Sequence, residues 1–167
     1  MRTVALLTSA LGCLLAATLA VPALAAAGSA RLDNREHAIV HRVNAKRAEY
    51  GLAKVKPNRR LSRAADYHSW EMLSANYFAH ESANGGSFFD RVERYTHKRA
   101  LGETLAMLGG GCGHGSAGRI VGMWMDSPGH REILLSGTYQ RIGVAARTGM
   151  LGGTKACVVT ADFGSKR

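Results

Sequence analysis

The chain has 167 residues, which is enough for one domain with a hydrophobic core. Hydrophobic residues make up 46% of the chain and aromatic residues 7%, a composition that excludes an intrinsically disordered protein. The formal net charge is +10, yet Lys and Arg are scattered and none of the usual recognition motifs is present, so we expect no nucleic-acid partner. The charge predicts attraction to anionic wall polymers or lipid headgroups, with solubility alone as the alternative explanation.

Residues 1–25 have the pattern of a secretory signal peptide. Arg2 supplies the positive start, residues 4–20 form an apolar run rich in Ala and Leu, and small residues precede the expected cut after Ala25. Cleavage after Ala27 is the alternative. Loss of this segment removes Arg2 and no acidic residue, so the formal charge falls by one unit from +10.

The mature chain then divides into an N-terminal tail at 26–35 and a single domain at 36–167. Because small residues follow the apolar run, we expect a cleaved signal rather than an uncleaved anchor, and no membrane span in the mature protein. The predicted location is therefore secreted, either extracellular or periplasmic.

Two long helices are predicted in the first half of the mature chain. Asp33 or Asn34 can cap the first helix, which ends near Tyr50, and the second helix runs from about Asn58 to Asn76. His68 lies on the apolar stripe of the second helix. A histidine in that position is more often a core residue with satisfied hydrogen bonds than a ligand.

The middle of the chain predicts short elements and a loop. Ser87 and Asp90 indicate the start of a short helix. Gly102–Met107 is a strand or an extended turn, and the glycine-rich stretch Gly109–Gly118 is a flexible loop. Because that stretch lacks the Lys and Ser/Thr of a phosphate-binding loop, we expect no nucleotide there.

The last third of the chain predicts two helical pieces and a β-hairpin. Ser116 can cap the first piece, and Ser127 can cap the second, with Pro128 at its first helical position. Two runs rich in Val and Ala, 141–147 and 155–163, predict the strands of a hairpin joined by a loose loop.

Cys112 and Cys157 are the cysteines that remain when Cys13 leaves with the signal peptide. In an oxidising compartment two cysteines predict one disulfide, here between the glycine-rich loop and a late strand. A crosslink over this separation stabilises the fold by about 4 kcal/mol. Since neither cysteine has a Cys-x-x-Cys partner, we expect no zinc–thiolate site, and an oxidised pair provides no thiolate nucleophile.

Three polar residues could carry chemistry: His80, Glu103 and His130. His130 falls in the first turn of a helix, where the positive dipole end favours the neutral imidazole. Two imidazoles and a carboxylate can bind a divalent metal, or can act as a general base and its orienting partner. Asp126 can orient His130 or cap a helix end. The sequence has no His-Glu-x-x-His helix and no Gly-x-Ser-x-Gly elbow.

Six segments of the chain follow one another in an order typical of one family. The segments are Ile39–Leu52, Tyr77–His80, Gly102–Ala106, Trp124–Leu134, Arg141–Val144 and Asp162–Gly164. Ser127-Pro128-Gly129-His130-Arg131 is the most specific part. Together these segments resemble the bacterial branch of the CAP superfamily, the secreted SCP/PR-1-like domains, over roughly residues 36–164.

The resemblance implies an α+β fold, a three-layer α-β-α sandwich with a central antiparallel sheet. It also implies a cleft lined by His80, Glu103 and His130, which in some members binds zinc or another divalent ion. The family's second acid often lies three residues after the tryptophan of the third helix. Ser127 holds that position here and Asp126 precedes it, so Asp126 is the candidate fourth ligand.

The family has no single agreed reaction, and three functions stay open. The first is a secreted binding module whose cleft holds a divalent metal and a lipid or cell-envelope ligand. The second is a metal-dependent, peptidase-like hydrolase that uses His80, Glu103 and His130, with Glu103 and His130 as its catalytic groups. The third is a structural or interaction domain in which the His/Glu cluster braces the fold. The basic charge and the lack of a nucleophile motif favour the first.

Overall fold

The computed structural model describes residues 32–166. The predicted signal peptide, its cut after Ala25 and most of the predicted tail lie outside the described residues. The first helix begins at Asn34, slightly before the domain boundary expected at 36. Within residues 32–166, no helix has the length and apolar character needed to cross a bilayer. The elements are α1 (Asn34–Glu49), β1 (Lys56–Pro57), α2 (Arg59–Ser74), α3 (Phe88–Glu93), β2 (Leu101–Gly109), α4 (Ser116–Asp126), α5 (Pro128–Leu135), β3 (Arg141–Leu151) and β4 (Thr154–Gly164).

A four-stranded sheet in the order β1-β3-β4-β2 forms the middle layer. β3 pairs with β4, and β4 with β2, in antiparallel register, while the short β1 pairs in parallel with the start of β3. Helices cover both faces of the sheet. The predicted α+β fold, a three-layer sandwich around antiparallel strands, is confirmed, and the parallel β1 is an addition that the sequence did not predict.

One face of the sheet packs against α1, α4 and α5. Alternate side chains of β4 such as Val159 and Phe163 point to this face, where they join one core with Val43 of α1 and Trp124 of α4. Trp124 is fully buried, and its indole Nε1 donates to the carbonyl oxygen of Leu105 at 2.8 Å. This hydrogen bond holds α4, and with it the start of α5, against β2.

The other face of the sheet packs against α2 and α3. Met72 of α2 joins a second core with Leu105 and Val158. α2 crosses β3 so closely that a Cβ atom at Gly143 would lie 2.1 Å from the backbone nitrogen of Ser62. Glycine is therefore required at this crossing, where two backbones approach each other directly.

The predicted helix starts are observed, but the capping differs from the prediction at α4 and, for Ser127, at α5. Asp33 and Asn58 cap α1 and α2, and Ser87 caps α3 through a capping box. The expected cap of α4 by Ser116 is wrong. Gly115 has the left-handed conformation and turns the chain into the helix, so Ser116 is already its first helical residue.

The β3–β4 hairpin is tighter than expected. Its strands continue to Leu151 and Thr154, which pair with each other, and Gly152 and Gly153 alone form the turn. Both glycines have positive φ angles, 57° and 78°, as two-residue hairpin turns commonly require. The predicted loose loop over 148–154 is wrong because these glycines serve a turn rather than flexibility.

The disulfide between Cys112 and Cys157 is formed as expected, across a sequence separation of 45. It joins the loop after β2 to β4, where Cys157 is fully buried. The backbone N–H of Cys112 also donates to Oγ1 of Thr148 at 3.1 Å. The glycine-rich loop is therefore attached to the sheet at one end.

Candidate functional site

His80, Glu103 and His130 meet beside the edge strand β2. His80 follows α2 in a loop, Glu103 lies on β2, and His130 lies in the first turn of α5. Nδ1 of His80 donates to Oε1 of Glu103 at 2.8 Å, and the ring centroids of His80 and His130 are 5.9 Å apart. The structure thus brings together the three residues that the sequence analysis selected.

Glu103 is the buried charge at the centre of this group, with 2% of its surface exposed. Its Oε1 accepts from His80, and its Oε2 accepts from Nη2 of Arg91. Burial acts to raise the pKa of Glu103, but the hydrogen bond from His80 and the positive charge of Arg91 outweigh it and hold that pKa below its ordinary value. Glu103 is therefore a carboxylate with both oxygens engaged.

Arg91 of α3 is a site residue that the sequence analysis missed. It is fully buried, and its Nη1 donates to the carbonyl oxygen of His80 and to Oγ of Ser82, each at 3.0 Å. One guanidinium thereby fixes the backbone of His80 and neutralises the carboxylate bonded to the His80 ring. A carboxylate buried in a cleft implies a cationic partner. The position of Arg91 in the sequence, however, does not distinguish it from the other basic residues.

The loop that carries His80 is anchored to α2. His68 is fully buried, and its Nε2 donates to the carbonyl oxygen of Ala79 at 2.9 Å. The prediction of a core histidine with satisfied hydrogen bonds is confirmed. The His80 ring itself is half-exposed, and its hydrogen bond to Glu103 raises the pKa of His80 above the ordinary value, against the effect of partial burial.

His130 has the opposite electrostatic character. Burial lowers the pKa of His130, and the positive charge of His80 lowers it further, while Glu103 opposes both effects. The neutral imidazole was expected from the helix start, whereas the structure gives burial as the main cause. Pro128 begins α5 as expected, but the side chain of Ser127 makes no capping hydrogen bond. The cleft thus combines one imidazole that retains its proton with one that releases it readily.

Asp162 is a second site residue that the sequence analysis missed. It lies directly opposite Glu103 in the β2–β4 register and is fully buried. Neither of its carboxylate oxygens has a hydrogen-bond donor among residues 32–166. Burial raises the pKa of Asp162 well above its ordinary value, and the negative charge of Glu103 raises it further. A protonated Asp162 can donate to Glu103, which allows two buried carboxyl groups to lie side by side.

Apolar side chains form the walls of the cleft next to the imidazoles. The cleft has a volume of about 510 Å³. Phe88 and Phe89 come from α3, with ring centroids 3.9 Å apart, and Ile133 and Tyr139 come from α5 and the segment after it. A Cβ atom at Gly102 would lie 2.8 Å from the hydroxyl oxygen of Tyr139, so this glycine lets the wall close onto β2.

The donor set fits a metal site with two imidazoles better than a site with three protein ligands. Glu103 engages Nδ1 of His80, which leaves Nε2 as the nitrogen that can face an ion. Glu103 itself fits the role of a carboxylate that does not bind the ion but orients the histidine that does. Among residues 32–166, no three His, Cys, Asp or Glu side chains are placed to hold one ion. The three-ligand set of His80, Glu103 and His130 stays a prediction.

Asp126, the candidate fourth ligand, lies at the end of α4 with an exposed side chain. It does not line the cleft formed by the described residues, whereas Ser127 does. Its position gives no support to a role as a ligand or as the partner that orients His130.

Comparison with known proteins identifies relatives that share part of their length with this chain. The uncharacterized protein YkwD of Bacillus subtilis (strain 168) is 34% identical over 111 residues, which cover 65% of this chain and 41% of YkwD. The uncharacterized membrane protein YlbC of the same strain is 33% identical over 110 residues, 65% of this chain and 30% of YlbC. The chain therefore spans less than half the length of either relative.

Solved structures share the fold. An extracellular protein of Bacillus anthracis that contains an SCP domain has a TM-score of 0.62 at 26% identity, covering 78% of this chain and 40% of that one. An outer surface protein of Borrelia burgdorferi has a TM-score of 0.65 at 17% identity, covering 81% of this chain and 97% of that one.

A family model matches residues 40–161, a range that includes His80, Arg91, Glu103 and His130 and ends just before Asp162. The family is described as the cysteine-rich secretory protein family, or CAP. The match spans most of the described residues, and the solved SCP domain has the same fold. The chain belongs to the CAP family of cysteine-rich secretory proteins.

Proposed function

We propose that this protein is an extracellular binding module that holds its ligand in the cleft between His80 and His130. The observation that carries the proposal is the placement of two adjacent imidazoles, with opposite shifts in pKa, in an open cleft with apolar walls. A few polar groups set among apolar side chains are typical of sites for small molecules.

The ligand that fits these walls is amphiphilic, such as a lipid or a fragment of the cell envelope. Phe88 and Phe89 offer apolar surface, and Phe89 is 48% exposed without a ligand to cover it. His80, whose pKa lies above its ordinary value because of Glu103, can supply a cationic donor for an anionic headgroup up to a higher pH than a free imidazole can. An apolar chain against α3 and an anionic group at His80 would use both parts of the cleft.

The same imidazoles can hold a divalent cation, zinc or another. His80 would bind through Nε2 because Glu103 engages its Nδ1, and His130 would supply the second nitrogen. A ligating imidazole must be neutral, so protons compete with the metal at His80. We expect metal affinity to increase as the pH rises through the raised pKa of His80.

An extracellular location has three supports. The Cys112–Cys157 disulfide favours an oxidising compartment, and the related proteins of B. anthracis and B. burgdorferi are described as extracellular and outer-surface proteins. The signal peptide predicted for residues 1–25 agrees with secretion. The formal net charge of +10 favours a partner among anionic cell-envelope materials.

Metal binding is tested by zinc titration calorimetry on protein without an affinity tag. We expect one site in the wild type and no site in the His80→Ala/His130→Ala variant. The matched control is His37→Ala/His41→Ala, because these exposed histidines lie one turn apart on α1 and can chelate metal on their own. Zinc binding that disappears in the control and persists in the cleft variant would contradict the metal proposal.

Ligand binding is tested with decanoate, and with decanol as its uncharged counterpart. We expect decanoate to bind more tightly than decanol, and Phe89→Ser to weaken both. The His80→Ala/His130→Ala variant should lose the preference for decanoate. Equal binding of decanoate by the wild type and both variants would place the ligand outside the cleft and overturn the proposal.

A metal-dependent, peptidase-like hydrolase is the second candidate. The lowered pKa of His130 favours it, because a neutral imidazole can accept a proton from water. The engaged oxygens of Glu103 oppose a role for that carboxylate as a general base. Peptide hydrolysis that is lost in His80→Ala/His130→Ala, with the fold intact, would favour the hydrolase. If the wild type binds neither metal nor ligand and the same variant is less stable than the wild type, the result would favour the third function, a domain in which the cluster only braces the fold.

A further inference from the structure

One end of the sheet carries a cluster of cationic side chains, here called the basic end. Register places Lys56 of β1 beside Arg141 of β3, and Arg141 beside Gly164, the last residue of β4, which Lys166 follows two residues later. Neighbouring strands lie about 4.8 Å apart, so these positions form one row across the sheet. The basic end consists of Lys56, Arg59, Arg60, Arg141 and Lys166.

Hydrogen bonds through Gln140 hold the backbone of three of these segments together. The N–H of Lys56 donates to the carbonyl oxygen of Gln140 at 3.0 Å. The N–H of Gln140 in turn donates to the carbonyl oxygen of Gly164, also at 3.0 Å. The N–H of Lys166 donates to Oε1 of Gln140 at 2.7 Å. The backbone segments that carry these cations are therefore held together by hydrogen bonds and do not behave as separate loops.

The start of α2 brings two more cations to the same end. Arg59 and Arg60 begin α2 shortly after β1, and Leu61 and Ser62 of the same turn lie against Gly143 near the start of β3. Asn58 caps α2 and donates its own backbone N–H to the carbonyl oxygen of Ile142 at 2.8 Å. The first turn of α2 is thus fixed beside the row.

The charges of the basic end are not neutralised within the part of the chain that the structure describes. None of its five members forms an ion pair there, and the two ion pairs between arginine and a buried or partly buried carboxylate, Arg91–Glu103 and Arg147–Asp66, involve other cations. Lys56, Arg59, Arg60 and Lys166 are exposed.

We infer that the basic end docks onto a linear phosphodiester polymer of the cell envelope. Arginine forks and lysines recognise phosphate, and a row of cations matches the repeating charges of a polymer. This inference rests on the proposed extracellular function and assigns its anionic partner to a surface outside the cleft.

A polymer fits this surface better than a membrane or a nucleic acid. Membrane-docking surfaces combine cations with apolar anchors, but the large exposed apolar side chains of the described chain belong to other positions. These are Tyr50, Phe78, Phe89, Met107, Met123 and Met150. Binding of single-stranded nucleic acid uses stacked aromatic rings, and the basic end contains none.

The test measures binding of the full chain to poly(glycerol phosphate) by calorimetry or polarisation over a range of salt concentrations. We expect Arg59→Glu/Arg60→Glu to bind about tenfold more weakly and with a shallower salt dependence. The matched control is Arg119→Glu/Lys155→Glu, which changes the net charge equally at exposed positions on α4 and at the far end of β4. We expect the control to bind within about twofold of the wild type.

Further measurements distinguish polymer binding at the basic end from ligand binding in the cleft and from loss of folding in a variant. The His80→Ala/His130→Ala variant should bind the polymer as the wild type does, even if the proposed cleft ligand proves wrong. Polymer added to the wild-type protein should shift the backbone amide resonances of Lys56, Arg141 and Lys166. Equal losses in both charge variants, tighter binding to phosphatidylglycerol vesicles than to the polymer, or no shifts at the basic end would overturn the inference.

Discussion

At the scale of single residues, the site depends on how a few buried charges are compensated. Arg91 and Glu103 are both fully removed from solvent and pair with each other inside the fold. His80 is the exposed member of the group, and it is positioned through its ring by Glu103 and through its carbonyl oxygen by Arg91. Substitution of either buried partner therefore affects both stability and the position of His80.

Arg91→Met should destabilise the protein strongly. The variant leaves Glu103 buried without its cation, a change that typically costs about 3–5 kcal/mol. Arg147→Met is the matched control, because Arg147 pairs with Asp66 at a partly exposed position, where such pairs contribute up to about 1 kcal/mol. Urea unfolding of both variants measures the difference. A loss in Arg91→Met no larger than that in Arg147→Met would show that Glu103 does not need the guanidinium.

Asp162→Asn should change the pH dependence of stability. Because burial raises the pKa of Asp162 in the folded state, the folded protein binds a proton that the unfolded chain releases above the ordinary value of 3.8. This contribution is fully present below that value and is lost as the pH rises toward the raised pKa. Asparagine does not ionise, so the variant should gain stability relative to the wild type as the pH increases from about 4 to 8.

The measurement for Asp162→Asn is the free energy of unfolding in urea at several pH values. Thr160→Val serves as a control, since Thr160 is also fully buried on β4 but carries no titratable group. A difference between Asp162→Asn and the wild type that does not vary with pH would mean that Asp162 is ionised in the folded protein.

At the scale of elements, local sequence patterns predicted the helices correctly. They failed for features that depend on contacts between distant parts of the chain. Asp33 and Ser87 cap their helices as expected, and Asn58 caps α2 at its predicted start, because a cap depends on neighbours within one turn. The hairpin turn was predicted as a loop, since a run of glycines is compatible with both. Arg91 and Asp162 were missed because their partner Glu103 is reached through α3 packing and strand register, which no local pattern contains.

The contact between α2 and β3 makes Gly143 a sensitive position. The Cβ atom of Gly143→Ala would lie 2.1 Å from the α2 backbone, which cannot move aside as a side chain can. We expect a loss of about 3 kcal/mol or more in the free energy of unfolding. Gly122→Ala is the control, because its Cβ would meet no atom within 4 Å and α4 should gain up to about 1 kcal/mol.

At the scale of the whole molecule, the two ends of the sheet have different roles. Glu103 and Asp162 pair at the end that holds the cleft, while Cys157 lies five residues earlier on β4, about 17 Å away. The basic end adjoins the cleft, and the disulfide fastens the opposite end. Stability and binding should therefore respond separately to changes at the two ends.

Removal of the disulfide tests this separation. The Cys112→Ala/Cys157→Ala variant should lose about 4 kcal/mol of stability, because its unfolded chain regains the freedom that the crosslink removes. The rings of His80 and His130 should keep their NMR resonances and their separate titrations, since Arg91, Glu103 and Asp162 are unchanged. Cleft resonances that shift to the same extent as those of the loop at residues 110–115 would show that the disulfide supports the cleft as well as the fold.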